Sequence, residues 1–326
     1  MAPVASILVA AYRAEAHLAH ALSSALAQTC REIEVVVVDD GSDDATFAVA
    51  EAFARRDPRV VALRHARNLG PAAARNTALA AARGRWLAVL DADDGLAPDR
   101  IERLVAQAEA RGADLLADEL IQTDFATGER LPHELAGRIV THPGPVTLAE
   151  MVQKDRPDMI GRTQFGFLKP VLRSDFLRRT GVRYQEDLRA GEDFVFAYEC
   201  VARGGRYMLT PERGYIYRVR ADSVSGQTRS HVDLCIGNRR LLALADPRDQ
   251  ALLQALRLRQ GLLDFACFKL HYENGQRRRA LSHAIRVPLG YMARRLGAAA
   301  GRRASAACGP LLGRAARPIR EGGAAE

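Results

Sequence analysis

Uninterrupted apolar runs alternate with stretches of helical spacing through the first third of the chain. Residues 4–10 and 34–38 read as strands, the second carrying Val35, Val36, Val37 and Val38 in succession, and 60–63 and 86–90 follow as the third and fourth. Between the first two, residues 15–28 place Leu18, Ala21, Leu22, Ala25 and Leu26 at helical spacing. Residues 43–56 are a second expected helix with Ser42 as its N-cap, 71–83 a third with Pro71 in the first turn, and 98–111 a fourth. A short fifth strand is expected at 114–117. Continuous apolar strands alternating with helices imply an α/β fold: a Rossmann-like, mostly parallel sheet with helices on both faces.

The pattern then loosens. Residues 119–145 read as loop or hairpin, 167–172 as a strand or bend leading into a short helix at 174–179, and 191–203 as a helix opened by Glu192 and Asp193. Short strands are expected at 206–209 and 214–217, and a helical extension at 232–272, broken near Asp246 and Pro247. Beyond Gly275 the chain is rich in Arg, Ala and Gly and only weakly patterned.

Charge divides the chain at the same place. The whole of its 326 residues carries 47 basic and 39 acidic side chains, but 275–326 alone holds 11 Arg and 2 Glu, leaving 36 basic and 37 acidic in the first 274. A near-neutral body argues against wrapping nucleic acid along its length. A hydrophobic content of 48% argues against disorder. Only Lys154, Lys169 and Lys269 are lysines, which reads as codon-composition bias. Cys30, Cys200, Cys235, Cys267 and Cys308 are scattered and lack Cys-x-x-Cys spacing. That argues against a disulfide framework or a zinc site, and the reading is of small buried apolar residues in a reducing cytoplasm. The apolar start lacks a basic leader and reads as the first strand, and no stretch reaches the roughly 18 apolar residues of a membrane span.

Ligands of parallel sheets bind beyond the carboxyl ends of the strands, and three polar clusters fall there. Asp91, Asp93 and Asp94 follow the fourth strand. Adjacent carboxylates repel unless a cation offsets them, so a divalent ion with a diphosphate suits this Asp-x-Asp, although an acidic surface turn fits the same letters. Asp39, Asp40, Gly41 and Ser42 follow the second strand, where a carboxylate accepts either a base N–H or a helix cap. Tyr12, Arg13 and Glu15 follow the first. Arg75 lies in a helix whose N-terminus suits a diphosphate, and Gly191-Glu192-Asp193 opens another where a carboxylate stays ionised as a general base or simply complements the dipole.

Taken in order, residues 4–12 with Glu15, VVVDDGS at 36–42, RNLGPAAARN at 67–76, DADD at 91–94 and GED at 191–193 resemble family 2 glycosyltransferases. GFLKPVLR at 166–173 and YRVRADSVS at 217–225 further resemble bacterial exopolysaccharide glycosyltransferases of the succinoglycan type. The resemblance implies a GT-A fold and an inverting transfer of one hexose, glucose the expected one, from a UDP-sugar to a lipid-linked or saccharide acceptor. It covers about residues 2–226 and implies a catalytic domain at 1–230, with nucleotide-binding half 1–100 and acceptor half 101–230, followed by the helical extension at 231–274 and the basic tail at 275–326 that pattern and charge mark out. It implies Asp40 on the uracil N3–H, Tyr12 and Glu15 along base and ribose, Arg75 near the nucleotide, Asp91 on the ribose side and at the metal, Asp93 holding Mg²⁺ or Mn²⁺, Asp94 as an auxiliary ligand and Asp193 as the base. Arg218 and Arg220 would close over the diphosphate. The family's usual Tyr-Asn after the first strand is Tyr12-Arg13 here, and no Gln-x-x-Arg-Trp follows Asp193, which argues against processive synthesis. A non-catalytic nucleotide-sugar binder and a nucleotidyltransferase are the competing readings.

In the tail, Arg277, Arg278, Arg279, Arg294, Arg295, Arg302 and Arg303 interleave with Leu289, Met292 and Leu296 on one helical face. A basic amphipathic segment of this kind is expected on the inner face of a membrane; a disordered tail is the alternative. Nucleic acid is not the expected partner, since Tyr291 is the tail's single aromatic.

Overall fold

The computed structural model describes residues 2–131, 143–155, 165–219, 230–288 and 290–292. Strands β1 (Ala5–Ala11), β2 (Ile33–Asp39), β3 (Val60–Arg64) and β4 (Trp86–Asp91) stand where the apolar runs place them, separated by α1 (Leu18–Leu26), α2 (Thr46–Arg56) and α3 (Pro71–Ala81). All four strands run parallel, with Ala11 opposite Asp39 and Ala10 opposite Asp91, so the polar clusters after β1, β2 and β4 emerge at one edge. The reason is burial on both faces: every residue of β2 is buried, and a strand with no solvent face can carry four valines in a row. Helix α3 packs across β1 and β2 through Ala72, Ala74 and Ala78, whose small side chains permit a close approach.

Beyond β4 come β5 (Gly95–Leu96), α4 (Arg100–Arg111), β6 (Leu115–Asp124), β7 (Gly144–Pro145), α5 (Leu148–Lys154), β8 (Val171–Arg173), α6 (Ser174–Thr180), α7 (Glu192–Ala202) and β9 (Tyr207–Val219). Among the described residues the sheet is ordered β3-β2-β1-β4-β8-β6-β9-β5, with β7 paired to β9. The β6–β9 pair is parallel, while β8, β5 and β7 are antiparallel to their neighbours.

Two strands exceed their expected lengths. β6 runs through Asp118 and Glu119, where the sequence reading ends a short strand and begins a loop. Asp118 is buried against Arg100, which is itself buried and donates to it at 2.8 Å, so the charge that disguises the strand is neutralised inside. β9 is one bulged strand rather than two short ones, its register shifting opposite 118–120 where Pro211, Glu212 and Arg213 intervene. Arg100 also donates to the Lys169 carbonyl at 2.5 Å and so fixes the segment entering β8.

The C-terminal part forms α8 (Ser230–Leu244), α9 (Gln250–Glu273) and α10 (Arg277–Ala284). Leu241, Leu252 and Leu256 join the main core, and buried Arg259 donates to Asp155 Oδ2 at 2.6 Å and stacks over Phe194 at 4.5 Å. The first stretch beyond Gly275, expected to be weakly patterned, is helical where it lies along α9. Residues 293–326, most of the expected basic tail, lie outside the described residues, as does Arg220.

Candidate active site

The turn after β2 is built first. Asp39 Oδ1 accepts from Ser42 N at 3.1 Å and Oδ2 lies 3.1 Å from Arg64 Nε. Gly41 has φ +71°, and a Cβ there would stand 2.4 Å from the Arg67 carbonyl carbon, so the turn lies directly against segment 67–70. Asp40 holds that contact: buried, it accepts from Leu69 N at 2.9 Å and Gly70 N at 2.7 Å and pairs with His65 Nδ1 at 2.7 Å. Of its roughly four acceptor positions three are therefore in use internally, leaving one for a base N–H.

Ser42 does not cap α2. Its hydroxyl accepts from Arg13 N at 2.9 Å, and α2 starts later, at Thr46. The first turn is capped by Asp44, which accepts from Thr46 N at 3.0 Å, and by Glu15, which accepts from Ala45 N at 2.8 Å. The Glu15 half of this arrangement comes from across the fold, where sequence spacing does not reach. Glu15, expected along base and ribose, is thus also a helix cap. Tyr12 is 44% exposed at the mouth of this edge. Arg13 has φ +49° and is the non-glycine residue with positive φ among those described. Asn tolerates this left-handed region better than Arg, so the family's Tyr-Asn suits the geometry; here the Asp43 carboxylate grips Arg13 at 2.8 and 2.7 Å and helps hold it there.

The charged centre lies between β4, α3 and α7. Arg75, on the buried side of α3, donates to Asp91 at 2.8 Å and to Glu192 at 2.5 Å, and lies 3.1 Å from Asp193. Its guanidinium stands over the Tyr184 ring at 5.5 Å, and Asn76 fixes Tyr184 by bonding both its backbone groups. Lys169 bonds Asp193 Oδ2 and lies 3.0 Å from Asp91 Oδ2. Asp91 and Asp193 are therefore clasped between two buried cations. Burial pushes the Asp91 carboxyl up, but Lys169 and Arg75 outweigh it and hold it well below the usual carboxylate range. Burial likewise works against the Lys169 ammonium, and Asp193 and Asp91 raise it above its ordinary value. Glu192 is raised by burial and by Asp193, against Arg75.

Asp94, expected as an auxiliary ligand, lies inside the fold. It is buried, with Oδ2 accepting from the Tyr215 hydroxyl at 2.8 Å and Oδ1 from Arg218 N at 2.9 Å, and it ties the β4 end to β9. Burial, Asp91 and Asp93 push its carboxyl well up. Each Asp91 oxygen faces a cation, Arg75 at 2.8 Å and Lys169 at 3.0 Å. Asp91 and Asp93 are both partly buried, whereas Asp94 is fully inside. Arg218 lies over Phe125 at 4.1 Å and near the Asp93 carbonyl at 3.5 Å, at this same edge.

Sequence reasoning gave no role to Lys169 or Glu192. A signal for Lys169 was present: in a chain with three lysines among 47 basic residues, a lysine is notable, and the bias reading passed over it.

Residues 6–173 match the model of Glycosyl transferase family 2. The chain is 39% identical over 242 residues to the succinoglycan biosynthesis protein ExoO of Rhizobium meliloti, covering 72% of this chain and 66% of that one. It is 38% identical over 229 residues to ExoU of the same organism, covering 70% and 65%. The alignments thus span just under two thirds of those relatives' lengths. Among solved structures, S. aureus TarS 1–349 in complex with UDP-GlcNAc superposes with a TM-score of 0.63 at 19% identity, covering 82% of this chain and 80% of that one. The mannosyltransferase PcManGT from Pyrobaculum calidifontis, in complex with GDP-Man and Mn²⁺, gives 0.54 at 20%, covering 92% and 80%. At these identities the two structures establish a shared fold.

Proposed function

The chain belongs to glycosyl transferase family 2, and on that premise we propose that it transfers one hexose, glucose the expected one, from a UDP-sugar to a lipid-linked or saccharide acceptor in exopolysaccharide assembly, with inversion at the anomeric carbon. The observation that carries this reading is the position of Asp193. It sits at the start of α7, held by Lys169 and Arg75 beside Asp91, at the edge where β1, β2 and β4 end.

In this reading Asp193 takes the proton of the acceptor hydroxyl as it attacks from the face opposite the departing UDP. One carboxylate suffices for inversion by transfer, unlike the paired carboxylates of hydrolases. Tyr12, Glu15 and the remaining acceptor position of Asp40 line the base and ribose, and Asp91 orients Arg75 and Lys169 toward the donor. A divalent ion, Mg²⁺ or Mn²⁺, fits at Asp93: three carboxylates crowd together there, and their mutual repulsion already shows in Asp94. When bound it would neutralise charge on the diphosphate.

Incubation with Mn²⁺ and a panel of UDP-sugars should release UDP, and excess chelator should stop it. Stoichiometric UDP binding with no release from any UDP-sugar, with or without saccharide acceptors, would instead favour a non-catalytic binder.

We also infer a cytoplasmic protein touching the inner membrane face. Among the described residues no helix is long and apolar enough to cross a membrane. Leu281 and Ile285 are 65% and 76% exposed beside Arg277, Arg278 and Arg279, an amphipathic surface suited to an anionic leaflet. Full-length protein should float with anionic liposomes, and Leu281→Asp with Ile285→Asp should reduce the floating fraction severalfold. Equal flotation of both proteins would dismiss this surface as the anchor.

A further inference from the structure

Helices α8, α9 and α10 meet around Cys235, Cys267 and His283. The two thiols are free and almost fully buried, with Sγ atoms 3.5 Å apart. The His283 side chain is 12% exposed, and one ligand atom from each of the three residues lies within 4.8 Å of the others. Asp264, also fully buried, places Oδ1 at 2.8 Å from His283 Nδ1 and 3.9 Å from Cys235 Sγ.

We propose that Cys235, Cys267 and His283 bind a structural zinc ion, with Asp264 beside them as fourth donor or as the anchor of the His283 ring. Zinc takes about four ligands of this sulfur and nitrogen chemistry in a tetrahedron. With Zn–S bonds of about 2.3 Å the sulfur–sulfur edge of that tetrahedron is about 3.8 Å, close to the separation already present. A carboxylate behind a ligating histidine is the usual outer partner. The charges also balance: two thiols release their protons, and the two thiolates neutralise the ion in an interior that tolerates no net charge. Asp264 keeps its own partners, Arg239 at 3.1 Å and Gln260 at 3.0 Å.

Such an ion would fasten α10 to the body. The buried side chains of α10 and the turn after it are Ala280 and Val287, a small apolar anchor for a segment that carries three consecutive arginines. Sequence spacing argues against zinc because its three ligands come from three helices, and helix packing alone brings them together.

The test is elemental analysis of the full-length chain, purified without chelators or metal-affinity resin. About one zinc per chain is expected. Cys235→Ala with Cys267→Ala should lower it to background, while Asp93→Ala should retain it, which separates this site from any ion at the strand edge. Cobalt exchanged into the wild type should show thiolate charge-transfer and tetrahedral d–d bands. Folded wild-type protein that takes up neither Zn²⁺ nor Co²⁺ would overturn the proposal, as would a Cys235–Cys267 disulfide found in metal-free protein by non-reducing peptide mass analysis. Neither result bears on the glycosyl-transfer reading.

Discussion

Asp193→Asn should lower kcat for sugar transfer by about 1,000-fold while UDP affinity changes by less than about threefold. The amide keeps the shape of the carboxylate and an oxygen to accept from Lys169, but it cannot take a proton from an acceptor hydroxyl. Loss of a positioned general base typically costs about 100- to 10,000-fold. Asn is the informative replacement. Alanine would remove the acceptor oxygen as well as the charge that faces Lys169 and Arg75, and structural damage would then be confused with lost chemistry. Because the proposed donor site is built on the ends of β1, β2 and β4, the loss should fall on kcat and leave UDP binding, measured by calorimetry, near the wild-type value. Retention of more than a tenth of wild-type turnover would remove Asp193 from the role of base.

Arg75→Ala should be the most damaging single change to stability, lowering the melting temperature by roughly 8–15 °C. Removing one partner of a buried ion pair costs about 3–5 kcal/mol, and in a domain of this size each kcal/mol corresponds to about 2–4 °C. The low end of both ranges is not expected, because Arg75 is buried and faces Asp91, Glu192 and Asp193 together. The variant leaves three carboxylates against Lys169 alone. Their repulsion favours protonation in the folded state, so the folded chain binds more protons than the unfolded one. Stability then falls as pH rises through the raised folded pKa and returns as pH falls. Glu192, already raised in the wild type, should lead that effect. The melting deficit should therefore shrink between pH 7.5 and about pH 5.5, measured by calorimetry against wild type. A deficit under 3 °C, or one that widens on acidification, would show that the cluster does not depend on Arg75.

The parts of the fold that could be read from sequence are those whose environment is uniform. β1, β2 and β4 are buried on both faces, and their apolar runs, residues 7–11, 35–38 and 86–90, fit little besides strands covered from both sides. β6 and β9 escaped because their polar residues are neutralised by partners distant in sequence: Asp118 by Arg100, and the Pro211–Arg213 interruption by a bulge against 118–120. The same division runs through the site. Asp91, Arg75 and Asp193 stood out because each begins or follows a recognisable element. Lys169 has no such marker, since its meaning lies in reaching Asp91 and Asp193 from the approach to a three-residue strand. Glu15, Asp40 and Ser42 were assigned from adjacent residues, whereas their bonds are set by loops brought alongside in space.

Gly191, the N-cap of α7, has φ +76°, and a Cβ on it would lie 2.5 Å from Leu234 Cδ2 of α8. Just before it, Arg189 N donates to Asp233 at 3.1 Å, and the Arg189 side chain reaches Asn68 at 2.9 Å in the segment that Asp40 secures. The family match ends at residue 173, ahead of both helices. Residues far along the chain thus act as a mechanical stop for the start of α7. A catalytic unit trimmed to the matched region, or transplanted onto another C-terminal half, would lose Asp193 or the surface against which it is set. Recombination among relatives of this chain should succeed only at junctions that keep α7 and α8 from the same parent.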